Sequence, residues 1–147
     1  MRLTTYTDYS LRVLIYVALH PERLVRIADI SAAYQISERH LMKVVQQLGI
    51  AGYIETIRGR GGGIRLARPA STIIVGEVVR RMEPGLDLVT CFREGEHCMI
   101  ERCCVLSRAL REALMAFLRV LDRHTLADLI ERRGPLLRLL KISEANG

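Results

Sequence analysis

The sequence has no tryptophan and only two phenylalanines and five tyrosines among its 147 residues. Its core must therefore be built from Leu, Ile, Val and Ala. Internal repeats and low-complexity tracts are absent, and half of the residues are hydrophobic, which excludes a disordered chain. No apolar run reaches the length of a membrane span. The one N-terminal candidate, Val13 to Leu19, is short and preceded by Asp8 and Arg12, so neither a signal peptide nor a membrane span is expected. The expected compartment is the cytoplasm, where thiols stay reduced. The four cysteines are then read as ligands, redox groups or packing residues rather than disulfides.

Acidic residues are scarce in one half. Residues 1–75 carry ten Arg or Lys against five Asp or Glu, a balance of +5, whereas residues 76–147 carry twelve against eleven, a balance of +1. A basic first half beside a nearly neutral second half suits contact with a polyanion. Charge alone is equally compatible with a basic soluble surface.

Thr5 and Asp8 have capping-box spacing, and Leu11, Leu14, Ile15 and Ala18 follow with helical period. That helix should stop near His20-Pro21. A short second helix carries Ile27, Ile30 and Tyr34 on one face. Ser37 is the expected N-cap of a third, with a buried stripe of Leu41, Val44, Val45 and Leu48. The period then changes. Tyr53 to Ile57 and Ile64 to Leu66 read as two strands, joined by Arg58-Gly59-Arg60-Gly61-Gly62-Gly63. A short helix is expected over 76–82, an irregular stretch over 84–104, and a long helix to about Arg123. Thr125 and Asp128 open another short helix, and Pro135 precedes a leucine-rich end.

Helix, helix, turn, helix and a basic glycine-rich hairpin is the chain order of a winged helix-turn-helix. The third helix buries its aliphatic stripe, which leaves Arg39, His40, Lys43 and Gln46 near its outer surface, behind Ser37. A helix of that size fits the major groove. In the hairpin, Gly62 permits close backbone approach, Arg58 and Arg60 can enter a narrow groove, and Arg65 can meet the phosphate backbone. The bland alternative is a three-helix core whose charges merely face solvent.

Cys91, Cys98, Cys103 and Cys104 fall within fourteen positions, all in the stretch with no regular pattern. Thiolates are soft ligands, and an irregular loop can wrap a metal centre. Structural zinc favours pairs of the C-x-x-C kind, and none is present. Wider spacing suits an iron–sulfur cluster better. A catalytic thiol would need a positioned base, and His97 beside Cys98 does not supply that geometry, so no enzymatic activity is expected.

These segments together resemble a known family. Met1 to Tyr9 with Leu11-Arg12, Arg58-Gly59, Gly62 to Leu66, Pro69-Ala70 and Leu126 to Leu129 are similar, in order and over nearly the whole chain, to the iron–sulfur winged-helix regulators, in particular their nitric-oxide-sensing repressors. The resemblance implies a homodimer on palindromic operator DNA, and a [4Fe–4S] cluster whose nitrosylation releases the operator. It implies cluster ligands at Cys91, Cys98 and Cys104, with Asp8 of the partner subunit as the fourth. Asp8 could equally be a plain helix-terminus acid. A sister branch places a histidine three residues after its last ligand cysteine, and Ser107 stands there in this chain. The doublet Cys103-Cys104 departs from the family pattern; the spacing from Cys98 selects Cys104. An iron-, redox- or peroxide-responsive relative with a [2Fe–2S] or zinc site is the alternative.

The expected fold is mainly α, a winged helix-turn-helix with a two-stranded β wing and a long C-terminal dimerisation helix. Leu106, Leu110, Leu114, Phe117 and Leu121 line one side of that helix, more apolar surface than a lone winged domain can cover. The division expected is 1–75 for DNA, 76–104 for the linking helix and cluster loop, and 105–147 for dimerisation and tail.

Overall fold

The computed structural model describes residues 2–140; the last part of the expected tail lies outside the described residues. Helix α1 spans Thr5–Ala18, and its N-cap is Thr4, whose side chain accepts from the Thr7 amide. This corrects the Thr5–Asp8 capping box. The acid that completes the cap comes from far along the chain: a Glu83 carboxylate oxygen accepts from the Thr4 amide at 3.0 Å, the Thr4 hydroxyl at 3.1 Å and the Thr7 hydroxyl at 2.6 Å. Asp8 instead pairs with Arg12 at 2.9 Å, one turn on.

Helices α2 (Ile27–Tyr34) and α3 (Glu38–Ile50) are joined at Gln35, which adopts the left-handed conformation with φ 55°. Ser37 caps α3 by accepting from the His40 amide. Leu41, Val44, Val45 and Leu48 are all buried against α1 and α2. Strands β1 (Ile54–Ile57) and β2 (Gly63–Leu66) pair antiparallel, with Glu55 opposite Arg65. Val25 adds a short rung beside β2, exchanging two backbone hydrogen bonds with Ile64. This rung fixes the wing to the α1–α2 connection. At the tip, a Cβ on Gly62 would collide with the Ile57 and Gly59 carbonyl oxygens, so the hairpin closes only with glycine there.

Helix α4 (Val75–Met82) follows, then the irregular stretch with two single 3-10 turns over 90–92 and 101–103, then α5 (Val105–Leu121), α6 (Leu126–Leu129) and α7 (Arg133–Leu139). Thr125 and Asp128 form the expected capping box of α6. Leu126 returns to the core shared by α1, α2, α3 and the wing. The end of α5 is clamped to α4 by a two-pronged ion pair, Arg80 to Asp122 at 2.7 and 2.6 Å. Gly76 lets this contact close, since a Cβ there would strike the Asp122 carboxylate. Both ends of the cysteine-bearing stretch are thus rooted in packed helices.

Candidate nucleic-acid interface and thiol segment

On α3 the burial of Leu41, Val44, Val45 and Leu48 turns Arg39, Lys43 and Gln46 outward, and all three are exposed. Ser37 is exposed but engaged as the cap. His40 is also exposed, yet its ring leans toward α1, 6.5 Å from the ring of Tyr9. A second tether joins the two helices, because the Tyr6 hydroxyl donates to the Lys43 carbonyl at 3.3 Å.

The wing places Arg58 and Arg60 exposed at its tip, Arg60 between Gly59 (φ 104°) and Gly61 (φ 76°). Arg65 is exposed too, but its guanidinium is bonded to Glu55 across the strand pair, so it can meet a phosphate only by sharing or leaving that carboxylate. Sequence reasoning missed Arg26. It is exposed at the N-terminus of α2 and lines an open cleft of about 560 Å³ with Arg23, Gly61 and Gly62. The Asp29 carboxylate lines the same cleft and already accepts from the Arg23 guanidinium and the Arg26 amide, so the cleft is of mixed charge and the Arg26 guanidinium is its added cation. The signal was legible as a basic residue directly before an apolar-periodic segment.

The cysteines are held differently from one another. Cys104 is the N-cap of α5, where its sulfur accepts from the Ser107 amide at 3.3 Å. Cys103 hydrogen-bonds backward to the Ile100 carbonyl at 3.5 Å. Cys91 sits in the turn over 90–92, and its neighbour Phe92 lies under the Arg111 guanidinium of α5 at 4.5 Å, a cation–π contact. Cys91 and Cys104 are thus both referenced to the first half of α5, while Cys98 lies exposed in the stretch between them. All four are free thiols. Among the described residues no three His, Cys, Asp or Glu side chains are grouped closely enough to hold a single metal ion. Asp8 lies on α1, half exposed and paired with Arg12, away from these cysteines in sequence.

The expected face of α5 divides. Leu106 is exposed, and Leu110, Leu114, Phe117 and Leu121 are partly buried. Leu118, outside the expected set, is the residue that α5 buries in its own subunit, and Val105, Met115 and Val120 add to the exposed apolar surface.

A capped recognition helix, a preceding helix set by a left-handed turn and a basic two-stranded wing define a winged helix-turn-helix DNA-binding protein. The chain belongs to the Rrf2 family, described as iron-dependent transcriptional regulators, whose model matches residues 3–132. It is similar to the HTH-type transcriptional regulator NsrR of Geobacillus kaustophilus, with 56% identity over 96% of this chain and 97% of that protein. The NsrR of Bacillus subtilis is 50% identical over 98% of this chain and all of that protein. Among solved structures, T. potens IscR shares the fold, with a TM-score of 0.74 over all of this chain and 94% of that one, at 24% identity. The chain is a DNA-binding transcription regulator rather than an enzyme. Among the described residues no helix is long and apolar enough to cross a membrane.

Proposed function

We propose that this chain is a cytoplasmic, homodimeric repressor that releases a palindromic operator when nitric oxide attacks a [4Fe–4S] cluster held by Cys91, Cys98, Cys104 and Asp8 of the partner subunit. The observation that carries the reading is the anchoring of Cys91 and Cys104 to the same helix, α5, on either side of an irregular segment that carries Cys98. The donor set fits the group: three soft sulfurs, on a single 3-10 turn, on irregular backbone and at a helix N-cap, can follow the outline of a cluster wider than one ion. When bound, the cluster would supply iron that nitric oxide can attack.

The chain's own residues do the rest. Arg39, His40, Lys43 and Gln46 meet the major groove behind the Ser37 cap. Arg58 and Arg60, on a tip closed by Gly62, meet the minor groove, and Arg65 meets the backbone. Residues 1–75 read DNA, 76–104 sense, and 105–147 dimerise. The apolar face of α5, exposed at Leu106 and partly buried at Leu110, Leu114, Phe117 and Leu121, would pair with its copy, and Cys104 caps that same helix. An interface so placed sets the separation of the two heads next to the sensor. Names of the relatives support a transcription regulator, the family's iron-dependent description supports iron as the metal, and the nitric-oxide signal rests on the resemblance of the segments quoted above.

The test is a visible spectrum of anaerobically purified protein with iron and sulfide counts. A brown protein with about four of each per chain is expected. About two of each would shift the reading to a [2Fe–2S] regulator of iron or redox state. A colourless protein with one zinc would overturn the cluster.

A further inference from the structure

Most of the large apolar side chains that stand exposed lie on the cysteine segment, α5 or α7; only two, Met42 and Ile50, lie on α3. Ile50 lines an open cleft of about 670 Å³ with Tyr6 and Met82, at whose edge Lys43 and Gln46 of the same helix also lie. Met42 lies elsewhere on the helix and is 59% exposed. With Arg39 and Gln46 it forms an i, i+3, i+7 stripe, opposite the buried Leu41, Val44, Val45 and Leu48. A bare thioether chain in a row of groove-facing polar residues gains nothing from water, so its benefit has to come from a bound surface with an apolar feature.

The major groove offers one such feature, the 5-methyl group of thymine. We infer that Met42 is a specificity residue that packs on a thymine methyl in each operator half-site. Its unbranched, polarizable chain can follow a methyl between the two polar readers, Arg39 suited to guanine and Gln46 to adenine. The inference rests on α3 being the groove-reading helix, and it adds which base the helix recognises without a hydrogen bond.

The test uses anaerobically purified full-length wild type, Met42→Ala and Met42→Leu, each selecting from a random 30-base-pair duplex pool. Wild type and Met42→Leu should enrich an inverted repeat with one fixed thymine per half-site. Met42→Ala should keep the repeat and lose that thymine. Replacing it by deoxyuridine, which lacks only the methyl, should weaken wild type about fourfold per half-site and leave Met42→Ala unchanged. Retention of the thymine by Met42→Ala overturns the inference, as does an equal loss on deoxyuridine in both proteins. If the wild type enriches no sequence, the groove-reading role of α3 itself fails, and the inference with it.

Discussion

His20 is 5% exposed, with its ring 5.0 Å from that of Tyr16 and Nδ1 3.5 Å from the Glu22 carboxylate. Burial, and then the Arg23 charge, hold its pKa below the ordinary imidazole value, against the opposing pull of Glu22. The folded state therefore keeps His20 neutral, while the unfolded chain takes up a proton near pH 6.5. Its contribution to stability is full above that pH and is lost as the pH falls below it toward the folded pKa. Wild type should lose thermal stability between about pH 7.5 and 5.5 more steeply than His20→Gln; parallel profiles would contradict this. The cysteine doublet gives a second prediction. Cys104 caps α5 while Cys103 bonds only its own turn, so Cys104→Ser should be colourless and Cys103→Ser brown, as read by visible absorbance. The reverse pattern would reassign the third ligand. Ser37 was legible as a cap because it directly precedes an apolar-periodic run. Thr4 was not, because two adjacent threonines offer the same hydroxyl and the deciding acid, Glu83, is 79 residues away.

Between elements, the contacts that matter join the start of the cysteine-bearing stretch to the helix-turn-helix head. Glu83 follows α4, directly before the irregular segment, yet its carboxylate holds the first turn of α1, and α1 is tethered to α3 through Tyr6. Glu83→Ala should destabilise the chain by about 1–2 kcal/mol, since it removes the acceptor shared by the Thr4 amide and the Thr4 and Thr7 hydroxyls at the helix start. Denaturant unfolding measures this, and an unchanged midpoint would show the clamp to be idle. On the DNA side, Arg60→Ala should weaken binding of the selected duplex by about 1–3 kcal/mol if the side chain enters a groove. Lys43→Ala should weaken all sequences alike and flatten the salt dependence if its ammonium, at the edge of the groove, touches only phosphate. Normal affinity in both variants, measured by gel shift, would remove the proposed surface. Helices α1 to α6 and both strands were legible, because aliphatic periodicity and glycine placement are local, whereas the start of α7 was not, because Pro135 reads as a break yet sits in its first turn. The Arg80–Asp122 clamp and the Val25 rung were not, because each joins residues that only the fold brings together.

In the proposed assembly, the fourth ligand bond of the cluster comes from Asp8 of the partner subunit. Within one chain Asp8 rests on α1 against Arg12, whereas Cys91 and Cys104 are referenced to α5, and the proposed bond runs to the other copy. Such a bond would join the head of one subunit to the sensor of its partner. Its loss would let the spacing of the two recognition helices relax, and half-sites lie at a fixed spacing. The account therefore stands or falls on one coupled measurement. The duplex selected by the wild-type protein is titrated with anaerobic brown protein, and nitric oxide is then added while absorbance and DNA anisotropy are followed together. The account predicts that the cluster absorbance changes and the DNA is released over the same range of nitric oxide. Release from protein that lacks iron, or a cluster that reacts fully while the DNA stays bound with undiminished affinity, would contradict it.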